Sequence, residues 1–185
     1  SNSECKGLVI TSEGRMFIAG ADISEFGVET PQGVPELEDV IRKIELAPKP
    51  VIAALNGMAL GGGMELAMGC HYRLADPSVT VGQPEVNLGF IPGGGGTQRL
   101  PRLVGPELAL EMIVTGKPIN ATKAFEAGAI DEIIDEDLVE SAIQLALSKA
   151  KKPDELRRTG DLHEKIKDVY PKVFDNWRQK ISLKS

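Results

Sequence analysis

Two cysteines and two histidines in 185 residues leave little from which thiol or metal chemistry could be built. Cys5 and Cys70 fit neither a metal-ligand nor a redox spacing and read as two unpaired thiols. His71 and His163 are far apart, without metal-type neighbours, and read as structural, as does the lone Trp177. No run of 18 apolar residues occurs, so no bilayer-spanning helix is expected. The N-terminus lacks the basic, apolar, small-residue order of a secretion signal, which leads to the expectation of an intracellular chain. Positive charge is also short. The 21 Lys and Arg against 27 Asp and Glu give a net charge of -6, which argues against nucleic acid or an anionic membrane as the main partner. Neither common phosphate-loop pattern is met, since no lysine follows the glycines at 93–96 and no acidic residue lies at a strand end about 20 residues on.

What is abundant is glycine, 20 residues, within a chain that is 42% hydrophobic and sized for one domain. The most informative stretch runs from Asn56 to Cys70. An apolar run, Val51 to Leu55, reads as a buried strand, and Met64 to Met68 are good helix formers, so Gly61, Gly62 and Gly63 fall at a strand-to-helix junction. Without Cβ atoms a ligand can approach the backbone there, and the free N–H groups of a first helical turn favour a negative oxygen. Glu65 projects from the same turn. A close packing turn with a solvent-facing glutamate would look the same at this level, and both readings stand.

Along the rest of the chain, Gly7 to Thr11 reads as a short strand, and Ala19-Gly20-Ala21-Asp22 as a small-residue turn that could offer the Ala21 N–H. Gly27 to Gly33 reads as a surface loop. Leu37, Val40, Ile41 and Ile44 follow the period of an amphipathic helix stopped by Pro48 and Pro50. Further strands are expected at His71 to Ala75 and Val79 to Val81, with Gln83-Pro84-Glu85 just past a strand end. A second glycine-rich helix start is expected at Pro92 to Arg99. Helices follow at Pro106 to Val114, at Ala121 to Ala127 between an Asn120 cap and Gly128, and at Leu138 to Lys151, with a short strand in Ala129 to Ile134. This alternation predicts an α/β unit with crossover connections. Beyond Lys151, charged residues with sparse apolar ones predict one or two small helices.

Five motifs in order, Phe17-Ile18-Ala19-Gly20-Ala21-Asp22, Pro50 to Gly57, Gly61 to Ala67, Gly82-Gln83-Pro84-Glu85 and Ile91 to Leu100, closely resemble the crotonase superfamily in its enoyl-CoA hydratase/isomerase branch. The likeness covers about residues 7 to 135. The stretches Gly69 to Arg73 and Leu156-Arg157-Arg158 further resemble the hydratase part of bifunctional enoyl-CoA hydratase/3-hydroxyacyl-CoA dehydrogenases. The resemblance implies an α/β, crotonase-like stacked ββα superhelix over 1–135 and a helical C-terminal region over 136–185, or a linker there to a further domain.

By the same resemblance, Ala21 and Gly62 supply the two N–H groups of an oxyanion hole for a thioester carbonyl, and Glu65 and Glu85 flank a catalytic water. Ala19, Asp22, Ile23, Gly61 and Gly93 match substrate-binding positions, the Gly93 N–H helping to hold the water or the second carboxylate. The substrate implied is an acyl-CoA thioester, with no separate cofactor and no metal. A homo-oligomer or a dehydrogenase domain in the full-length protein are the implied partners, and cytoplasm, peroxisome or mitochondrial matrix the implied locations. Two carboxylates favour hydration over Δ3-Δ2 isomerisation, which needs one. Thioester hydrolysis, dehalogenation and an inactive acyl-CoA-binding module remain as alternatives on the same fold. Two departures stand out. The Gly94 position is more often alanine in the family. The chain also starts six residues before its first core strand, where the family has further strands, so a piece of a longer protein with weak turnover is expected.

Overall fold

The computed structural model describes residues 3–20, 32–167, 169 and 171–182. The Ala21, Asp22 and Ile23 assignments, and most of the 27–33 loop, lie outside the described residues. Strands β1 (Leu8–Ile10), β2 (Val51–Leu55), β4 (Tyr72–Ala75) and β7 (Glu132–Ile133) form a parallel sheet in the order β1-β2-β4-β7. β3 (Met58–Leu60), β5 (Thr80–Gly82) and β6 (Ile119–Asn120) form a second sheet, parallel between β3 and β5 and antiparallel between β5 and β6. The helices are α1 (Leu37–Glu45), α2 (Gly62–Gly69), α3 (Gly96–Val104), α4 (Pro106–Thr115), α5 (Ala121–Ala127), α6 (Leu138–Lys149) and α7 (Pro171–Ser182).

β2 is buried at every residue, as a strand of a parallel sheet covered on both faces must be. Its alternate residues serve different cores. Val51, Ala53 and Leu55 join Met64, Ala67 and Met68 of α2, whereas Ile52 and Ala54 meet Leu74, Ala142 and Ala146, the last two from α6. α1 matches its expected span, with Ile41 fully buried. α5 has its Asn120 cap, the side chain accepting from the Lys123 N–H at 2.9 Å, and ends at Gly128 in the left-handed region.

One placement differs in a way that matters for the site. The glycine junction does not follow β2 directly: Asn56 and Gly57 turn the chain, and β3 intervenes before Gly61. Gly57 sits at φ +59, where a Cβ would run into the Arg15 carbonyl, so the turn is open only to glycine. Residues 17–18 then run beside β3. Ile18 bridges Ala59, and the Leu60 N–H donates to the Ile18 carbonyl at 3.0 Å. A strand expected over Ala129 to Ile134 shortens to Glu132–Ile133, because Ala129 and Ile130 turn back on α5 through the Ala124 carbonyl.

The far end of α2 is held by a buried cation. Arg73 is fully buried, and its guanidinium donates to the Cys70 carbonyl at 2.9 Å and the Ala129 carbonyl at 2.9 Å and pairs with Asp131 at 3.2 Å. A cation at a helix C-terminus meets the negative end of the dipole and the unpaired carbonyls. Asp131 also pairs with Arg157, so the two stretches singled out as similar to bifunctional enzymes meet at one carboxylate.

Candidate active site

The N-terminus of α2 is the centre of the site. Gly61 precedes it at φ 53, ψ -128, a conformation that suits glycine alone, and its N–H donates to the Gly82 carbonyl at 3.0 Å. Gly62 is the first helical residue, so its N–H has no acceptor within the helix. A Cβ on Gly61 would lie 3.7 Å from the Cα of Gly20 and 3.4 Å from Glu85 Oε1. The Ala19-Gly20 turn, the Gly61-Gly62 turn and Glu85 therefore converge. Gly63 makes this possible on the packed side, where any Cβ would collide with the Ile18 carbonyl.

Glu65 follows within the first turn of α2 and is only 2% exposed, so of the two readings the sequence left open the solvent-facing one is excluded. Its Oε1 accepts from the Gly96 N–H at 2.8 Å. Its Oε2 lies where a Cβ on Gly94 would come within 2.7 Å, and a Cβ on Gly96 would crowd Oε1 at 2.9 Å. Ile41 of α1 packs on the same glycine, 3.1 Å from a Gly94 Cβ. An alanine at this position would thus press on the carboxylate. Gly93, by contrast, is exposed with open space where its side chain would be. Gly96 is the backbone donor that reaches Glu65, and four consecutive glycines give no sequence signal for which one does so.

Glu85 opens a 3-10 turn, Glu85–Leu88, that leaves β5 through Gln83 and Pro84. Both of its carboxylate oxygens are buried without a hydrogen-bonding partner from another residue among those described. Burial raises its pKa above the ordinary carboxylate range; its own backbone N–H offsets part of this, and the charge of Glu65 adds to the rise. Glu85 Oε1 lies beside the Gly61 turn that starts the helix carrying Glu65, so the two carboxylates flank one turn. Gln83, fully buried, was missed by sequence reasoning. Its Nε2 donates to the Gly61 carbonyl at 3.3 Å, and its Oε1 faces Gly96, where a Cβ would approach to 2.6 Å.

A raised carboxyl pKa is also a statement about stability. The protonated form is the one the fold tolerates, so the stability is present in acid and lost as pH rises through the folded pKa. Glu85→Gln should accordingly melt higher than the parent at neutral pH, and the gap should close on acidification to below about pH 4, where the parent is protonated as well. Scanning calorimetry across that range checks it; a gap independent of pH would contradict the unpartnered carboxylate.

The remaining candidates are inert. Burial pushes the Cys70 thiol up to about 12, so it is no thiolate near neutrality. His71 accepts from the Val51 N–H at 3.0 Å through Nδ1, and burial, then the nearby Arg158, lowers its pKa, leaving a neutral structural ring. Among the described residues no group of three acidic, His or Cys side chains could hold a metal. A cavity of about 220 Å³ between Arg102, Asp131, Arg157 and Lys165 contains none of the site residues.

A turn whose Gly62 N–H has no acceptor within the helix, flanked by one carboxylate held by a backbone N–H and one without a partner among the described residues, suits a substrate that develops negative charge while a proton moves. Residues 1–176 match the family described as Enoyl-CoA hydratase/isomerase. The chain belongs to that family. It is 44% identical over 158 residues to the peroxisomal bifunctional enzyme of Danio rerio, covering 85% of this chain and 22% of that protein. It is 43% identical over 157 residues to the fatty acid oxidation complex subunit alpha of Idiomarina loihiensis, covering 81% and 22%. Among solved structures, enoyl-CoA hydratase subunit I of Geobacillus kaustophilus is 38% identical with a TM-score of 0.75, over 98% of this chain and 73% of that one. The fold is thus the crotonase type, and the chain spans about a fifth of the curated relatives it matches. No described helix is long and apolar enough to cross a membrane.

Proposed function

We propose that this enoyl-CoA hydratase/isomerase family chain carries a hydratase site, adding water across the double bond of a 2-trans-enoyl-CoA to give the 3-hydroxyacyl-CoA of fatty-acid β-oxidation. The observation that carries this reading is the pair of dissimilar carboxylates at one turn: Glu65 held by the Gly96 N–H, and Glu85 with both oxygens buried and without a hydrogen-bonding partner among the described residues. Glu65 is the base that takes a proton from water as its oxygen bonds to C3. The electron pair of the double bond moves towards the thioester, and the charge gathering on the thioester oxygen is met by the Gly62 N–H and, in this reading, by that of Ala21. Glu85, whose environment favours the protonated form, gives its proton to C2. Ala19, Asp22, Ile23, Gly61 and Gly93 complete the thioester site in this proposal.

Two carboxylates support hydration over isomerisation, in which a single group shuttles a proton between C2 and C4. Incubating the protein with a 2-trans-enoyl-CoA and with a 3-enoyl-CoA separates the two. Formation of the 3-hydroxyacyl-CoA from the first as the faster reaction supports the assignment, and interconversion of the two enoyl isomers without hydroxy product refutes it. Relatives named as bifunctional enzyme and as a subunit of a fatty acid oxidation complex support a further proposal, that the full-length protein also bears a dehydrogenase activity acting on this product, in a peroxisomal or bacterial cytoplasmic setting.

A further inference from the structure

A run of four glycines, 93–96, is a poor scaffold for a catalytic contact, because glycine has the most conformational freedom to lose. Yet two of these residues define the surroundings of Glu65: Gly96 through its N–H, and Gly94 through its lack of a side chain, since a Cβ there would come within 2.7 Å of Oε2. Something outside the run must hold it.

That restraint comes from Arg99, which sits in the first turn of α3, where the positive end of the helix dipole disfavours a cation. It is not in solvent either. The side chains of Arg99 and Glu45 are 12% and 10% exposed, and they pair at 2.8 Å. Such a buried pair is weak evidence for stability, since desolvation offsets most of the attraction. The guanidinium folds back over its own helix start, and its second nitrogen donates to the Gly94 carbonyl at 3.1 Å. Gly95 is at φ +93, and any Cβ there would strike that nitrogen, so glycine at 95 is required by the backbone and by this contact alike. The other oxygen of Glu45 accepts from the Gly160 N–H at 2.7 Å, and the neighbouring Thr159 hydroxyl donates to the Met68 carbonyl at 2.8 Å, on the helix that carries Glu65.

We propose that Arg99, oriented by Glu45, is a positioning residue that fixes the Gly94–Gly96 turn against Glu65 and couples it to the C-terminal turn Thr159–Asp161. The proposal rests on Glu65 being the base. Arg99 touches no reacting atom; it acts by keeping the Gly94 carbonyl in place, and with it the turn whose Gly96 N–H holds the carboxylate.

Arg99→Met should lower kcat of the 185-residue chain on a 2-trans-enoyl-CoA by about 10- to 100-fold with KM changed less than about 3-fold, as expected when a base is misplaced rather than a substrate lost. Arg99→Lys should restore only part of this, because one ammonium cannot serve Glu45 and the Gly94 carbonyl with the geometry of a fork. In a Glu65→Gln background, Arg99→Met should cost nothing more, since its effect passes through Glu65. A readout independent of turnover is the Gly96 amide proton in glycine-labelled protein by NMR. It should move upfield in Arg99→Met, and less far in Glu45→Gln, a shape-preserving variant that serves if Arg99→Met does not fold. An unmoved Gly96 amide in these variants, or the full Arg99 loss recurring on top of Glu65→Gln, overturns the proposal. If Glu65→Gln itself leaves turnover intact, the base assignment fails, and the Gly96 amide alone decides whether the bridge holds the turn.

Discussion

Glu65→Gln is expected to lower kcat for hydration by ~10²-fold or more while the affinity for the CoA thioester changes little, the signature of a lost general base. Glutamine keeps the shape of the side chain and an oxygen that can still accept from the Gly96 N–H, so the turn and the 2%-exposed position remain filled. What is lost is only the capacity to take a proton. A fall in kcat without a fall in melting temperature is therefore the expected pattern, measured by steady-state kinetics beside thermal unfolding. Comparable losses in both would mean that Glu65 is a packing residue whose charge is incidental.

Gly62→Pro should be as damaging by a different route. Proline is well tolerated at the first position of a helix, where its missing N–H has no intrahelical role and its φ suits the turn. Gly62 occupies that position in α2. The substitution should spare the helix yet delete one oxyanion donor, at ~3 kcal/mol or roughly a 10²-fold loss in kcat. Kinetics on a 2-trans-enoyl-CoA, with circular dichroism to show the helix intact, gives the answer. Near-parental turnover by a folded Gly62→Pro protein would remove Gly62 from the oxyanion role.

Much of the framework was readable from the residues because it is local. Val51 to Leu55 is continuously apolar and became the buried central strand; Leu37, Val40, Ile41 and Ile44 keep helical period and became α1; Asn120 and Gly128 bracket α5 by cap chemistry. β3 was not readable. Met58-Ala59-Leu60 is three residues long with no period of its own, and its bonds come from Ile18 and from Thr80 to Gly82, distant in sequence. The same limit applies at the site. Glu65 and Glu85 stood out by the motifs around them, but the burial of Glu65 and of the Glu85 oxygens depends on elements distant in sequence closing over them. Gly96 could not be told from its three glycine neighbours, since only the path of the 92–96 turn decides whose N–H meets Glu65. Gln83 and the Arg99–Glu45 pair carry no local signal, because their partners lie on other elements.

The central claim is that Glu65 and Glu85 split one water and place its oxygen on C3 of an enoyl thioester. Incubating the parent protein and Glu65→Gln with a short 2-trans-enoyl-CoA in oxygen-18 water, followed by mass spectrometry of the CoA products, tests it most directly. Labelled 3-hydroxyacyl-CoA accumulating with the parent protein, and at least ~10²-fold more slowly with Glu65→Gln, is the predicted result. A folded parent protein that binds the thioester without forming labelled product, or a variant that labels it at the parental rate, would contradict it.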